Sequence, residues 1–373
     1  MLDARSPLEA EIRRLIAAAG PMPFGDYMRL CLTHPQYGYY ITRDPFGSRG
    51  DFVTSPEISQ IFGELIGLWM AAVWKQMGAP ENVRVVELGP GRGTMMNDAL
   101  RAARTVKSFY EAIVVHLVEV SPTLQQAQQK RLADLGVPIL WHASFDEIPA
   151  GPVIVVANEF VDALPVHQAI KAADGWHERV VVVGPGDTLS YGLARDPLPF
   201  FDGTLPRALR QAPDGSIFEW RTDQFALALG RRVRADGAAL IIDYGHMRCA
   251  LGDTVQAVSG HSFADPLRKP GEADLTAHVD FETLALGAEC IGTRCHGPVT
   301  QREFLLALGI RERAAVLKSK APREKASEID GAVSRLIRTD NRGMGELFKV
   351  LGLADPKIGP LPGFAAPAAA AKP

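Results

Sequence analysis

Val83-Arg84-Val85-Val86-Glu87-Leu88-Gly89-Pro90-Gly91-Arg92-Gly93 is the stretch that decides how this chain folds. The run Val83–Leu88 is almost continuously apolar. It lacks the in–out alternation of a half-exposed strand and reads as a strand covered on both faces, as in a parallel sheet. It leads directly into three glycines, where the backbone can turn sharply and approach a ligand with no Cβ in the way. A helical pattern follows over 93–105. Strand, glycine loop and helix together open a doubly wound sheet, which binds ligands beyond the carboxyl ends of its strands.

Outward from this unit the rhythm repeats. The runs 113–120, 138–141, 153–157 and 238–242 read as further buried strands, with helices over 122–135 and 222–234 between them. The fold class is therefore α/β, a Rossmann-like doubly wound sheet. Residues 159–217 interrupt it. There, 166–171 and 178–183 flank an Asp174-Gly175 turn and predict an inserted hairpin. Ahead of the sheet, Ser6 and Gly20 bracket a helix over 7–20. The Tyr-, Pro- and Gly-rich stretch 21–56 predicts turns, and Ser55-Pro56-Glu57 opens a helix running to about Met77. Beyond Asp280 the chain reads as mainly helical, with candidates at 281–288, 302–308, 323–338 and 344–351. These segments suggest a helical and loop cap over 1–80, a core over 81–300 and a helical extension over 301–363. The Ala/Pro-rich tail 364–373 is expected to be disordered.

The bulk numbers exclude several classes. A length of 373 residues with 47% hydrophobic and 22% charged content suits a globular chain with a sizeable core. A net charge of −3 argues against a general nucleic-acid binder. No apolar run approaches the roughly 20 residues needed to span a bilayer, so no membrane insertion is expected. Cys31, Cys249, Cys290 and Cys295 are too scattered for a disulfide framework. Cys290, Cys295 and His296 lack a second ligand pair, so no metal site is expected. A reducing compartment follows. With no signal-like or transit-like N-terminus, the expected location is cytoplasmic.

The ligand can be narrowed further. The spacing Gly89, Gly91, Gly93 departs from the dinucleotide Gly-x-Gly-x-x-Gly. Pro90 removes an amide that a phosphate would want. Glu87, two positions before the first glycine, would repel a pyrophosphate but suits an ammonium or a sulfonium. Glu119, ending the next strand, can accept hydrogen bonds from both hydroxyls of a ribose, and it also suits the N-terminus of the helix behind it. Ser144 and Phe145 follow the third strand at the depth expected for an adenine, although Phe145 reads equally as core. These features favour S-adenosylmethionine over a nicotinamide cofactor. At the other end of the site, Asn158, Glu159 and Asp162 follow a buried strand, where polar groups are costly unless satisfied or used. A capped turn would explain Asn158 and Asp162 but does not require Glu159. Carboxylates there could grip a guanidinium and localise its charge. Asp243 and His246 add a carboxylate and a possible proton acceptor.

Three longer strings carry a family resemblance: Gly50-Asp51-Phe52-Val53-Thr54-Ser55-Pro56-Glu57-Ile58-Ser59, the glycine loop with Glu87, and Ala157-Asn158-Glu159-Phe160-Val161-Asp162-Ala163-Leu164-Pro165. Together with Asp274-Leu275-Thr276-Ala277-His278-Val279-Asp280-Phe281 and Met344-Gly345-Glu346-Leu347-Phe348-Lys349, they resemble the MidA family over about 26–351. The resemblance implies a class I methyltransferase with added helices. It further implies cofactor binding by the glycine loop and Glu119, an acceptor facing Asn158, Glu159 and Asp162, and Thr54 and Ser55 helping to close the pocket. Mitochondrial members are complex I assembly factors that dimethylate an arginine of a core subunit. A protein acceptor of that kind is therefore expected, and the missing leader suggests a bacterial relative. Two alternatives remain: methylation of another protein or small molecule, and an assembly chaperone that binds cofactor without turnover.

Overall fold

A computed structural model describes residues 6–43 and 54–364. Contacts gather the chain into two units. One comprises Val53–Phe160, Asp223–Met247 and Phe281–Pro373; the other comprises Met1–Phe52, Val161–Thr222 and Arg248–Asp280.

The first unit is built on a sheet that includes strands β1 (Val83–Leu88), β2 (Ile113–Val118), β3 (Ile139–His142), β4 (Val153–Asn158), β5 (Gly237–His246), β6 (Arg294–Thr300) and β7 (Phe348–Ala354). Their order is β6-β7-β5-β4-β1-β2-β3. The pairs from β5 through β3 are parallel, and β7 runs antiparallel to both neighbours. Val86 at the sheet centre pairs with His116 on one side and Val155 on the other. The strand order reverses between β1 and β4, so their carboxyl ends define the crevice where such sheets take ligands. Helices cover the faces. Gln60–Gln76 presses so closely on Thr94–Ala103 that a Cβ at Gly67 would lie 2.1 Å from the Ala99 carbonyl oxygen. The core runs from Ile61 and Phe62 through Val85, Leu117 and Ile154 to Leu240, Phe304 and Phe348.

The second unit contains helices Pro7–Ala19 and Phe24–Thr33, an antiparallel five-stranded sheet and a three-stranded sheet. Ser6 caps the first helix on the Glu9 amide, and Gly20 ends it, as the sequence predicts. Leu8, Ile12, Phe24, Tyr27, Met28 and Leu275 share its core. Arg221 donates to the carbonyls of Asp162, Leu164, Ala277 and His278 and so clasps the turn that carries Asp162.

Several expectations are corrected. Residues 21–56 are not only turns, because Phe24, Tyr27, Met28, Cys31 and Leu32 form one buried stripe of helix Phe24–Thr33. The helix expected over 55–77 breaks at Ser59, which is extended at φ −155° and recaps the chain on the Ile61 amide. The expected hairpin is part of a larger sheet that also holds Thr188–Leu193 and Ile217–Trp220. The helix expected over 344–351 is instead strand β7 from Phe348 on, and the region beyond 280 also contributes strand β6. Phe364 is not part of a loose tail. It is 8% exposed, with its ring against those of Phe304 and His296. The remaining tail, 365–373, lies outside the described residues, as do Gly50–Val53 of the first family string.

Candidate active site

The glycine loop leaves the centre of the sheet. Gly89, Gly91 and Gly93 have φ of 62°, 53° and 74°, left-handed values that side chains disfavour. The Gly89 amide donates to the Val118 carbonyl, and the Glu119 amide donates to that of His142. The loop and the β2 terminus are thereby tied to their neighbouring strands. A Cβ at Gly89 would come within 2.8 Å of the Phe160 ring, so the loop and the end of β4 are packed without slack.

Two buried carboxylates flank this loop. Glu87 is 3% exposed, and its Oε2 has no hydrogen-bond partner. Burial pushes its carboxyl up to about 8, and the nearby Glu119 charge adds to the rise. Glu119 is 6% exposed; burial raises it to about 7, against the lowering effect of its hydrogen bonds. Its Oε1 accepts from the Ser121 amide at 2.8 Å, and its Oε2 accepts from Gln128 Nε2 at 3.1 Å. One oxygen of Glu119 therefore serves the N-terminus of the helix behind it, and the other is held by Gln128.

Gln128 is the residue that sequence reasoning missed. It is fully buried. Nε2 also donates to the Gly91 carbonyl at 2.7 Å, and Oε1 accepts from Trp141 Nε1 at 2.9 Å. One side chain thus fastens the glycine loop, Glu119 and strand β3. Ser144 is exposed and caps a short turn on the Asp146 amide; Phe145 is half-buried rather than plain core.

At the end of β4, Glu159 takes φ of 50°, a left-handed conformation costing a non-glycine residue about 1–2 kcal/mol. The surroundings hold it there. Its Oε1 accepts from the Ser55 amide at 2.9 Å and from Asn158 Nδ2 at 3.1 Å, and its own amide donates to the Ile242 carbonyl. Asn158 Oδ1 is buried without a partner. The fully buried Asp243 accepts from the Phe160 amide and from its own neighbour Tyr244, so it braces this turn. Thr54 and Ser55 are buried at the start of helix Ser55–Ile58, and Glu57 accepts from the Thr94 hydroxyl just past the glycine loop. Asp162 belongs to the other unit, where its Oδ1 accepts from the Ala163 amide. His246 ends β5 half-buried.

Unpartnered acceptors on Glu87 and Asn158, beside a cradle of left-handed glycines, fit a ligand that brings its own N–H donors and positive charge. They suit a phosphate poorly.

Residues 65–299 match the family model described as "Putative S-adenosyl-L-methionine-dependent methyltransferase". The mitochondrial protein arginine methyltransferase NDUFAF7 homolog of Drosophila melanogaster is 39% identical, over 93% of this chain and 84% of its own length. The chain belongs to the MidA family of S-adenosylmethionine-dependent methyltransferases. The human mitochondrial protein arginine methyltransferase NDUFAF7 is 36% identical over 94% of this chain and 84% of its own. A structure from Burkholderia thailandensis with bound S-adenosyl-homocysteine superposes with a TM-score of 0.82 at 29% identity, covering 98% of each chain. The enzyme is thus a class I methyltransferase, and its cofactor is S-adenosyl-L-methionine. The expected cytoplasmic location is corrected, because the Drosophila melanogaster and human relatives are mitochondrial proteins. Net charge and free cysteines do not separate one reducing compartment from another. Among the described residues, no helix is long and apolar enough to cross a membrane.

The carboxyls near the loop carry a pH signature. Glu87 and Glu119 hold protons in the folded chain up to about 8 and 7, and release them near 4.5 when unfolded. Their contribution to stability is therefore complete below about 4.5 and is lost as pH rises through 7–8. Glu87→Gln, a neutral isostere, is expected to raise the melting temperature of the ligand-free enzyme at pH 8 by about a degree or more. At pH 5 it should have little effect. Scanning calorimetry at both pH values checks this, and an equal shift at each would remove the proton linkage.

Proposed function

We propose that this enzyme methylates an arginine side chain of a protein acceptor, of the kind presented by a core subunit of respiratory complex I. The observation that carries the reading is Glu159, a charged residue held in a strained left-handed conformation at the switch point of the sheet. Such strain persists only where surrounding contacts over-determine it, and it gathers at functional sites. The names of the relatives, which are protein arginine methyltransferases, support the same assignment.

Bound S-adenosylmethionine supplies a methyl group on a positively charged sulfur. The chain's own residues have the remaining tasks. Gly89, Pro90, Gly91 and Gly93 form the cradle, with Gln128 holding Gly91 and Glu119 in place. Glu87 and Glu119 receive the ligand's ammonium and ribose hydroxyls, and the ligand's positive charge draws the proton off Glu87 as it binds. Ser144 and Phe145 border the adenine end, and Thr54 and Ser55 line the entrance. Glu159, oriented by the Ser55 amide and Asn158, pairs with the guanidinium and draws its positive charge away from the attacking nitrogen. Asp162 keeps its acceptor assignment from the resemblance alone.

The test is transfer of an isotope-labelled methyl group from S-adenosylmethionine into the soluble and membrane proteins of cells lacking the gene. Peptide mass spectrometry should place the label on arginine, as dimethylarginine. Label on lysine, on a carboxylate or only on small molecules would overturn the reading.

A further inference from the structure

We propose that a cation-lined cleft between the C-terminal helices docks an acidic segment of the protein acceptor, an inference that rests on the acceptor being a protein. The cleft encloses about 480 Å³ among helices Gln301–Ala307, Ile310–Lys318 and Arg323–Ile337. Arg302, Arg311, Lys318 and Arg338 line it, against the single carboxylate of Asp330. Asp330 is already committed to Lys318, at 2.6 Å, and Arg338 is paired with Asp340, which is not part of the lining. Arg302 and Arg311 have no carboxylate partner among the described residues. Arg302 spends one N–H on the Ile337 carbonyl at 2.8 Å, which fixes the guanidinium while leaving further donors.

A chain with a net charge of −3 concentrates positive charge here without being basic overall. Such a local patch attracts an anionic partner. The cleft is also linked to the acceptor end within its own unit. The Arg302 amide donates to the Gly345 carbonyl, and the Gly345 amide donates to that of Arg338. The preceding Met344 lies against Ser55 Oγ at 3.8 Å, and the Ser55 amide holds Glu159. The target arginine is itself cationic and is repelled by this lining. Carboxylates elsewhere on the same acceptor are attracted, and this sets which part of the acceptor enters which site. Guanidinium–carboxylate pairs supply both the geometry and the charge for that choice.

The experiment follows binding of a fluorescein-labelled oligo-glutamate peptide by anisotropy, with the full chain saturated in S-adenosylhomocysteine and at low ionic strength. The wild type should bind, and Arg311→Ser combined with Arg338→Ser should lose about fivefold or more in affinity, since each exposed pair is worth up to about 1 kcal/mol. The melting shift caused by S-adenosylhomocysteine should be equal in both, which shows that the variant is folded. Absent binding by the wild type, or equal binding by the double variant, overturns the proposal. So does displacement of the peptide by inorganic phosphate but not by chloride at matched ionic strength, which would mark a small-anion site. The readout needs no turnover, so a failure of the arginine assignment leaves its outcome unchanged.

Discussion

Gly89→Ala is expected to cost the enzyme its cofactor while leaving the sheet assembled. The position has φ of 62°, where a Cβ costs about 1–2 kcal/mol in any protein. That cost alone would lower stability without touching function. The added methyl also meets the Phe160 ring at 2.8 Å, closer than packed carbons tolerate. Relief requires either the loop or Phe160 to move. Moving the loop pulls Gly89 from its hydrogen bond to Val118; moving Phe160 disturbs the turn that Asp243 braces and that Glu159 begins. Affinity for S-adenosylhomocysteine, measured by titration calorimetry, should therefore fall on the order of tenfold to a hundredfold, about 1.4–2.7 kcal/mol. Gly136→Ala separates the two effects, since Gly136 has φ of 71° with nothing within 4 Å of an added Cβ. That variant should lose comparable stability and bind normally. Normal binding by both variants would remove the glycine loop from the cofactor site.

How legible the molecule is depends on what each segment does physically. Strands buried on both faces announce themselves, because a run such as Val83–Leu88 has no other comfortable place, and its bounds are found where the sequence puts them. The same property misleads at Phe348–Ala354. Every residue there is buried, so neither period stands out, and a helical reading of 344–351 competes on equal terms. The short length of the run is the feature that favours a strand. Helix Phe24–Thr33 carries a regular apolar stripe, but the glycines and prolines around it pull the eye toward turns. In the site, charged residues ending strands are visible from position alone. Gln128 is not, since it stands among four glutamines of one helix. Its signal is the spacing Leu124, Gln128, Leu132, which places it on the buried face. What it bonds to depends on strands far away in sequence, and no local pattern encodes that.

Glu159→Gln is expected to separate cofactor binding from methyl transfer. Glutamine keeps a carbonyl oxygen at the position of Oε1, so the Ser55 amide at 2.9 Å and Asn158 Nδ2 at 3.1 Å retain an acceptor, and the left-handed turn at φ 50° stays braced. Size and shape barely change, and only the charge is removed. S-adenosylhomocysteine should therefore raise the melting temperature of the variant as much as that of the wild type. The acceptor loses its charge-assisted partner, worth about 1.5–3 kcal/mol, and with it the group that holds the guanidinium in line. Transfer to the true acceptor should fall about tenfold to more than a hundredfold, with the loss in kcat as well as in KM, since the charge acts while the nitrogen attacks. If only KM rose, Glu159 would bind the acceptor without shaping the reaction. If transfer were undiminished, the strain at Glu159 would serve the fold alone, and the arginine reading would lose the residue on which it rests.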